Sequence, residues 1–249
     1  GTLLINDAAE TTTFTGGLTA NANSELTLQG TLATTNTAMS IGGNGLTLAG
    51  AGATLNAGTG GNSNITIGGV VTGAGKALIL TGAGTTTLSG DLNNLLTLTT
   101  NTGGNTTLAA GVDITTTSTM TIADELIISS GGTSILDAGA AATSDITLAA
   151  VSGINSGDPE NITLDAGADT DSAIIVTGAF TDIDTLTIRD AGSVELRGAL
   201  NIQTYVDTGL VNNVSITGTG TVNDATTFLN AGTLLINDAA ETTTFTGGL

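Results

Sequence analysis

Carboxylates are the side chains whose number and spacing here could do chemistry. The chain carries 22 Asp and Glu. Thirteen lie between Asp124 and Glu195, eight of these between Asp158 and Asp190, and none between Glu25 and Asp91. The run D-A-G-A-D-T-D at 165–171 reads as an oxygen-rich loop, with Asp182 and Asp184 close behind it. Ca²⁺ takes six to eight oxygens and tolerates irregular geometry, so Asp165, Asp169, Asp171, Asp182 and Asp184 form the candidate calcium set. The steps from Asp145 to Asp165, from Asp165 to Asp184 and from Asp171 to Asp190 are nearly equal in length. If that step is one turn of a repeating fold, these carboxylates stack about 5 Å apart. Charges that close repel unless solvent, a proton or a cation intervenes. The calcium-binding nonapeptide GGxGxDxUx is absent. The competing reading is a solvated acidic face that keeps a shaft soluble. No motif requires a cofactor, and calcium is the one candidate.

Other chemistry has few residues to use. His, Cys and Trp are absent, and the cations are Lys76, Arg189 and Arg197 against a net charge of −19. Such a chain cannot neutralise a phosphate backbone, so nucleic acid is not expected as a partner. An anionic membrane surface would repel it, and no apolar run is long enough to cross a bilayer as a helix. Asp182 and Asp184 could serve as an acid–base pair of a carbohydrate-active β-helix. With aromatic residues at 2% there are few platforms for sugars, so no enzyme activity is expected. T-x-T steps such as Thr97/Thr99 and Thr119/Thr121 resemble ice-binding arrays, but most turns lack them. The sequons at Asn64, Asn105, Asn161 and Asn213 are no more than this Thr-rich composition yields by chance.

The elements that must position the carboxylates come from repetition. Residues 1–18, GTLLINDAAETTTFTGGL, recur without change as residues 232–249, an offset of 231. The division this implies is one repeat unit at 1–231 and the start of the next identical unit at 232–249. Within the unit, short apolar–polar–apolar steps recur: LTL at 26–28, 46–48 and 96–98, ITI at 65–67, MTI at 120–122, and ITL at 146–148 and 162–164. Period 2 marks strands, and Gly, Asn, Asp and Ser clusters between them mark turns. Hydrophobic residues at 39% and a mean hydropathy of +0.33 exclude a disordered chain. Near-regular spacing, small side chains and a unit that runs into its own copy point to an all-β parallel β-solenoid (β-helix) of about 11 coils of about 21 residues per 231-residue unit. Leu28, Leu48, Ile67, Leu80, Leu98, Ile122, Leu148, Leu164, Ile188, Ile216 and Ile236 are expected to be buried in one file along one inner wall. Thr47, Thr97 and Thr163 between them are expected to face solvent.

The GxLTLxG and TGxG phrasing, the Thr/Asn/Gly bias and the acidic balance resemble the β-strand repeats of bacterial filamentous-haemagglutinin and autotransporter proteins. That resemblance implies the β-helical shaft of a large secreted adhesin or surface fibre, and an extracellular, cell-surface or secreted location. The expected function is a structural module that stacks end to end on copies of itself into a continuous filament. The alternatives are an acidic module that binds calcium, a glycan or a receptor, and a carbohydrate-active β-helix. The first residue is Gly rather than Met, which suggests a fragment or processed product. Residues 232–249 are expected to occupy the same position in the next unit as residues 1–18 do in the first.

Overall fold

A computed structural model describes residues 2–6, 10–20, 25–129, 131–154, 157–237 and 240–249, and leaves the side chain of Thr2 undescribed. The described residues contain strands and turns and no helix. Their strand pairings are all parallel, and they sort into three continuous walls. The first wall is built from 2–5, 25–28, 46–48, 71–72, 92–95, 114–116, 134–137, 162–165, 186–190 and 204–207. The second is built from 11–14, 31–34, 53–56, 78–81, 98–100, 120–122, 146–148, 173–176, 193–196, 211–216 and 234–236. The third runs through 18–20, 39–41, 65–67, 86–88, 105–108, 125–128, 150–153, 180–181, 200–202, 220–222 and 243–245. The chain is therefore a three-walled parallel β-solenoid of eleven turns, about 50 Å long at the inter-strand spacing.

Alternation holds the fold together. In Leu46–Gly58, Leu46, Leu48, Leu55 and Ala57 are buried, while Thr47 and Asn56 are partly exposed. The same inward parity on all three walls fills the centre with aliphatic side chains, most of them 0–5% exposed. Leu, Ile and Val hold most of the inward positions, and Met39, Met120, Phe180 and Tyr205 are the larger side chains among them.

Two expectations about this core need correction. The proposed ladder residues are buried, except Ile236, which is half-buried at the last turn. They do not form one file. Leu28, Leu48, Leu164 and Ile188 lie on the first wall, and Ile67 on the third. Leu80, Leu98, Ile122, Leu148, Ile216 and Ile236 lie on the second. All three walls use the same period-2 pattern, so an L-T-L step fits any of them. Thr163 is also buried, at 6% exposure, whereas Thr47 and Thr97 are partly exposed.

The two identical segments fold alike and sit on different walls. Asn6 and Asn237 both turn their corners at positive φ, 62° and 58°. The Thr12 hydroxyl donates to Asn6 Oδ1 at 2.6 Å, and Thr243, its counterpart, donates to Asn237 Oδ1 at 3.0 Å. Yet Thr2–Ile5 belongs to the first wall and Leu234–Ile236 to the second. Thr11–Phe14 belongs to the second wall and Thr243–Phe245 to the third. The offset of 231 thus spans ten turns and a third, and the expected equivalence of position holds locally but not in phase.

Candidate functional site

The corner between the third and first walls opens into a groove of about 590 Å³ over the upper turns. It is lined by residues 157–160, 181–184 and 201–203 with Thr221 and Asn223, four successive passes of the chain around one corner. Phe180–Leu196 passes this corner without a break. Asp182 turns the backbone there at φ 53°, and Ile183 points into the core at 2% exposure. Asp184 Oδ2 accepts the Glu160 backbone N–H at 2.8 Å. On the upper side Gln203 Nε2 donates to Asp224 Oδ1 at 2.7 Å, Thr204 Oγ1 donates to Asp224 Oδ2 at 2.6 Å, and Asn223 Nδ2 donates to Gln203 Oε1 at 3.2 Å. Carboxylates below and amides above make the groove rich in acceptors with a few donors. That chemistry suits a cation or the hydroxyls of a sugar.

The structure divides the five calcium candidates between two corners. Asp182 and Asp184 line the groove. Asp165, Asp169 and Asp171 lie where the first wall turns into the second, between strands Glu160–Asp165 and Ala173–Val176. There Asp165 Oδ1 accepts the Gly167 N–H at 3.0 Å, and Asp169 Oδ1 accepts the Asp171 N–H at 3.0 Å. Among the described residues no group of three or more His, Cys, Asp or Glu is placed to hold a metal ion.

The carboxylate stack expected from near-constant sequence steps also shifts. Asp137, Asp165 and Asp190 are register partners on successive turns of the first wall, at unequal steps along the sequence. Asp145 instead accepts the Ala173 N–H at 2.8 Å. The D-x-G corner recurs on this wall: Asp137, Asp165 and, two turns above Asp165, Asp207 each accept the N–H of the glycine next but one, at 2.7, 3.0 and 2.8 Å, although Asp207 pairs with Ile188 rather than with Asp190. Arg189 reaches Asp165 Oδ2 at 3.3 Å and offsets part of the repulsion. Burial, and then the charge of Asp165, push the Asp190 carboxyl above its ordinary range.

Sequence reasoning missed Asp124. It is 4% exposed, at an inward position of Met120–Ile128 between Ile122 and Leu126. Thr100 Oγ1 donates to its Oδ1 at 2.8 Å, and Thr106 Oγ1 lies 3.0 Å from both carboxylate oxygens. Burial raises its pKa, and the two hydroxyls oppose that rise only in part. The signal is present in M-T-I-A-D-E-L-I-I, where strict alternation already points Asp124 inward.

No family model matches the chain, and neither a curated protein nor a solved structure does.

Proposed function

We propose that the chain is a structural repeat module of an extracellular surface fibre, stacking end to end into a continuous β-solenoid shaft. One observation carries this reading. The segment that begins the chain recurs at its end, and there it is seated on the open edge of the tenth turn, with Leu234–Ile236 over residues 214–216 and Thr243–Phe245 over Gly220–Val222. The upper edge therefore accepts the sequence of the first turn by ordinary parallel pairing. Unpaired strand edges otherwise invite irregular association, and solenoids need either caps or a neighbour. The net charge of −19 suits a long shaft that must stay hydrated and not stick side to side. Small-angle scattering on a chain of one, two and three units tests the reading. A rigid rod that lengthens by about 50 Å per unit supports it, and separate beads on a flexible string overturn it.

A second reading, an adhesin module that binds calcium, a glycan or a receptor, draws on the groove at the corner of the third and first walls. Calorimetric titration with calcium and with neutral oligosaccharides, on the native protein and on Asp182→Asn with Gln203→Ala, tests it. Heat of binding that the double variant abolishes would support this reading.

A further inference from the structure

We infer that successive units join one wall out of phase, so that each face of a unit passes to the next side of the shaft at every junction. The inference rests on the fibre reading and adds its geometry. The carrying observation is that one repeated segment, with the same Asn corner and the same Thr–Asn hydrogen bond, occupies the first and second walls at one end of the chain and the second and third at the other.

Side-chain parity permits this shift. On the first wall Leu3 pairs with the inward Leu26, Leu4 with the outward Thr27 and Ile5 with the inward Leu28. On the second wall Leu234 pairs with the inward Val214, Leu235 with the outward Ser215 and Ile236 with the inward Ile216. A slip of one residue would turn every inward apolar side chain outward. A step of one wall keeps every one inward, so the core does not resist it. The chain then continues around the third-to-first corner. The Thr226 N–H donates to Gly248 O at 3.0 Å, which brings the end of the second copy over the first wall. Behind this corner the Phe228 ring packs against Tyr205 at 5.2 Å and against Phe245 at 5.9 Å between centroids.

The junction thus has named partners: Leu3 and Ile5 of one unit over Val214 and Ile216 of the unit below. Because the offset of 231 makes ten turns and a third, three units, about 150 Å of shaft, restore the starting phase. The acidic groove, fixed to one corner of each unit, moves to the next corner at each junction and is displayed on all three sides of the fibre. An in-phase array would line the same grooves along one edge.

The chain has no Cys, so introduced pairs report cleanly. Ser215 and Leu235 are outward register partners on the second wall, at a spacing a disulfide can bridge. Val206, 36% exposed on the first wall, is the outward residue that Leu235 would meet in phase. The full chain is made with Ser215→Cys and Leu235→Cys, and separately with Val206→Cys and Leu235→Cys. Both are air-oxidised and their disulfide yields read by mass and non-reducing gel. Closure of 215–235 alone is expected. Closure of 206–235 overturns the phase shift and leaves stacking intact, while closure of neither overturns both the shift and the fibre reading. A cryo-electron microscopy map of a three-unit chain is the second readout, independent of whether a Cys variant folds. Tracing one wall from turn to turn, the groove should change corner at each junction. A rod with all grooves on one corner overturns the inference alone, and the absence of a rod overturns the reading beneath it.

Discussion

At the scale of single residues, the most informative side chain is Asp124, a carboxylate where the alternation of its strand places an apolar group. Its two threonine donors satisfy the oxygens, and burial still raises its pKa. The folded state therefore binds the proton more tightly than the unfolded chain does, so protonation stabilises the fold. This contribution is complete below the ordinary carboxylate pKa and is lost as pH rises through the raised value in the folded state. Asp124→Asn should melt at a higher temperature than the native protein at pH 7, and the gap should narrow as pH falls toward the ordinary carboxylate range. Thermal melts across that range check it, and a variant less stable at pH 7 would show that the charge-assisted bonds outweigh burial. The same period-2 rule that makes the strands legible from L-T-L steps also makes Asp124 legible as inward. It escapes a reading that weighs carboxylates only as a surface property. Ordinary core positions behave as alternation requires. Ile122→Ala should cost roughly 2–4 kcal/mol through lost burial and a cavity, and Thr47→Ala, partly exposed and hydrogen-bonded to Glu25 Oε1 at 2.7 Å, less than about 1 kcal/mol. Denaturant titration of the two variants separates those values.

At the scale of elements, the corners decide where strands can lie. Gly178, Gly198 and Gly218 stack where the second wall turns into the third on three successive turns. A Cβ on Gly198 would lie 2.0 Å from Gly178 O, and one on Gly218 would lie 1.8 Å from Gly198 O. No side chain rotation relieves a clash with backbone, so Gly198→Ala should separate two turns and cost on the order of 1–3 kcal/mol. Gly16→Ala, with open space around its Cβ position, should be close to neutral. A chemical-denaturation comparison of the two tests whether this corner sets turn spacing. The corners are also where a sequence reading loses the fold. Strand identity and parity are local properties, and the steps at 26–28, 46–48 and 120–122 are strands in the structure as their alternation requires. Which wall a strand joins depends on the length of every corner before it. On the first wall the step from Asp137 to its register partner Asp165 is longer by a third than the step from Val71 to its partner Leu92. Counting one L-T-L step per turn therefore samples all three walls, and near-constant sequence steps join carboxylates that the structure keeps apart. The D-A-G triplets at 137, 165 and 190 are the better guide, since a repeated turn signature marks a repeated corner.

At the scale of the whole molecule, charge is distributed along the axis rather than around it. Residues 26–90 carry no carboxylate, so the second to fourth turns are nearly neutral, and most of the −19 net charge lies on the turns above. There the stacked Asp137, Asp165 and Asp190 are register partners, with Arg189 beside Asp165 as the near counter-charge. Like charges at such spacing destabilise the compact state, and mobile ions screen them over about 10 Å at 0.1 M salt. The calcium candidates are split between two corners, so screening by any cation, rather than coordination of one, should govern this region. Raising NaCl from low to moderate concentration should raise the melting temperature. Calcium at matched ionic strength should add little more, and a chelator should leave the melt unchanged. Arg189 is 43% exposed, and an exposed pair contributes little alone, so Arg189→Gln should lower stability slightly while steepening its dependence on salt. Differential scanning calorimetry in sodium, magnesium and calcium chlorides, with and without chelator, distinguishes the cases. A melt that falls in chelator and recovers with calcium but not magnesium would show that carboxylates from one corner, or from adjoining units of a fibre, coordinate the ion together.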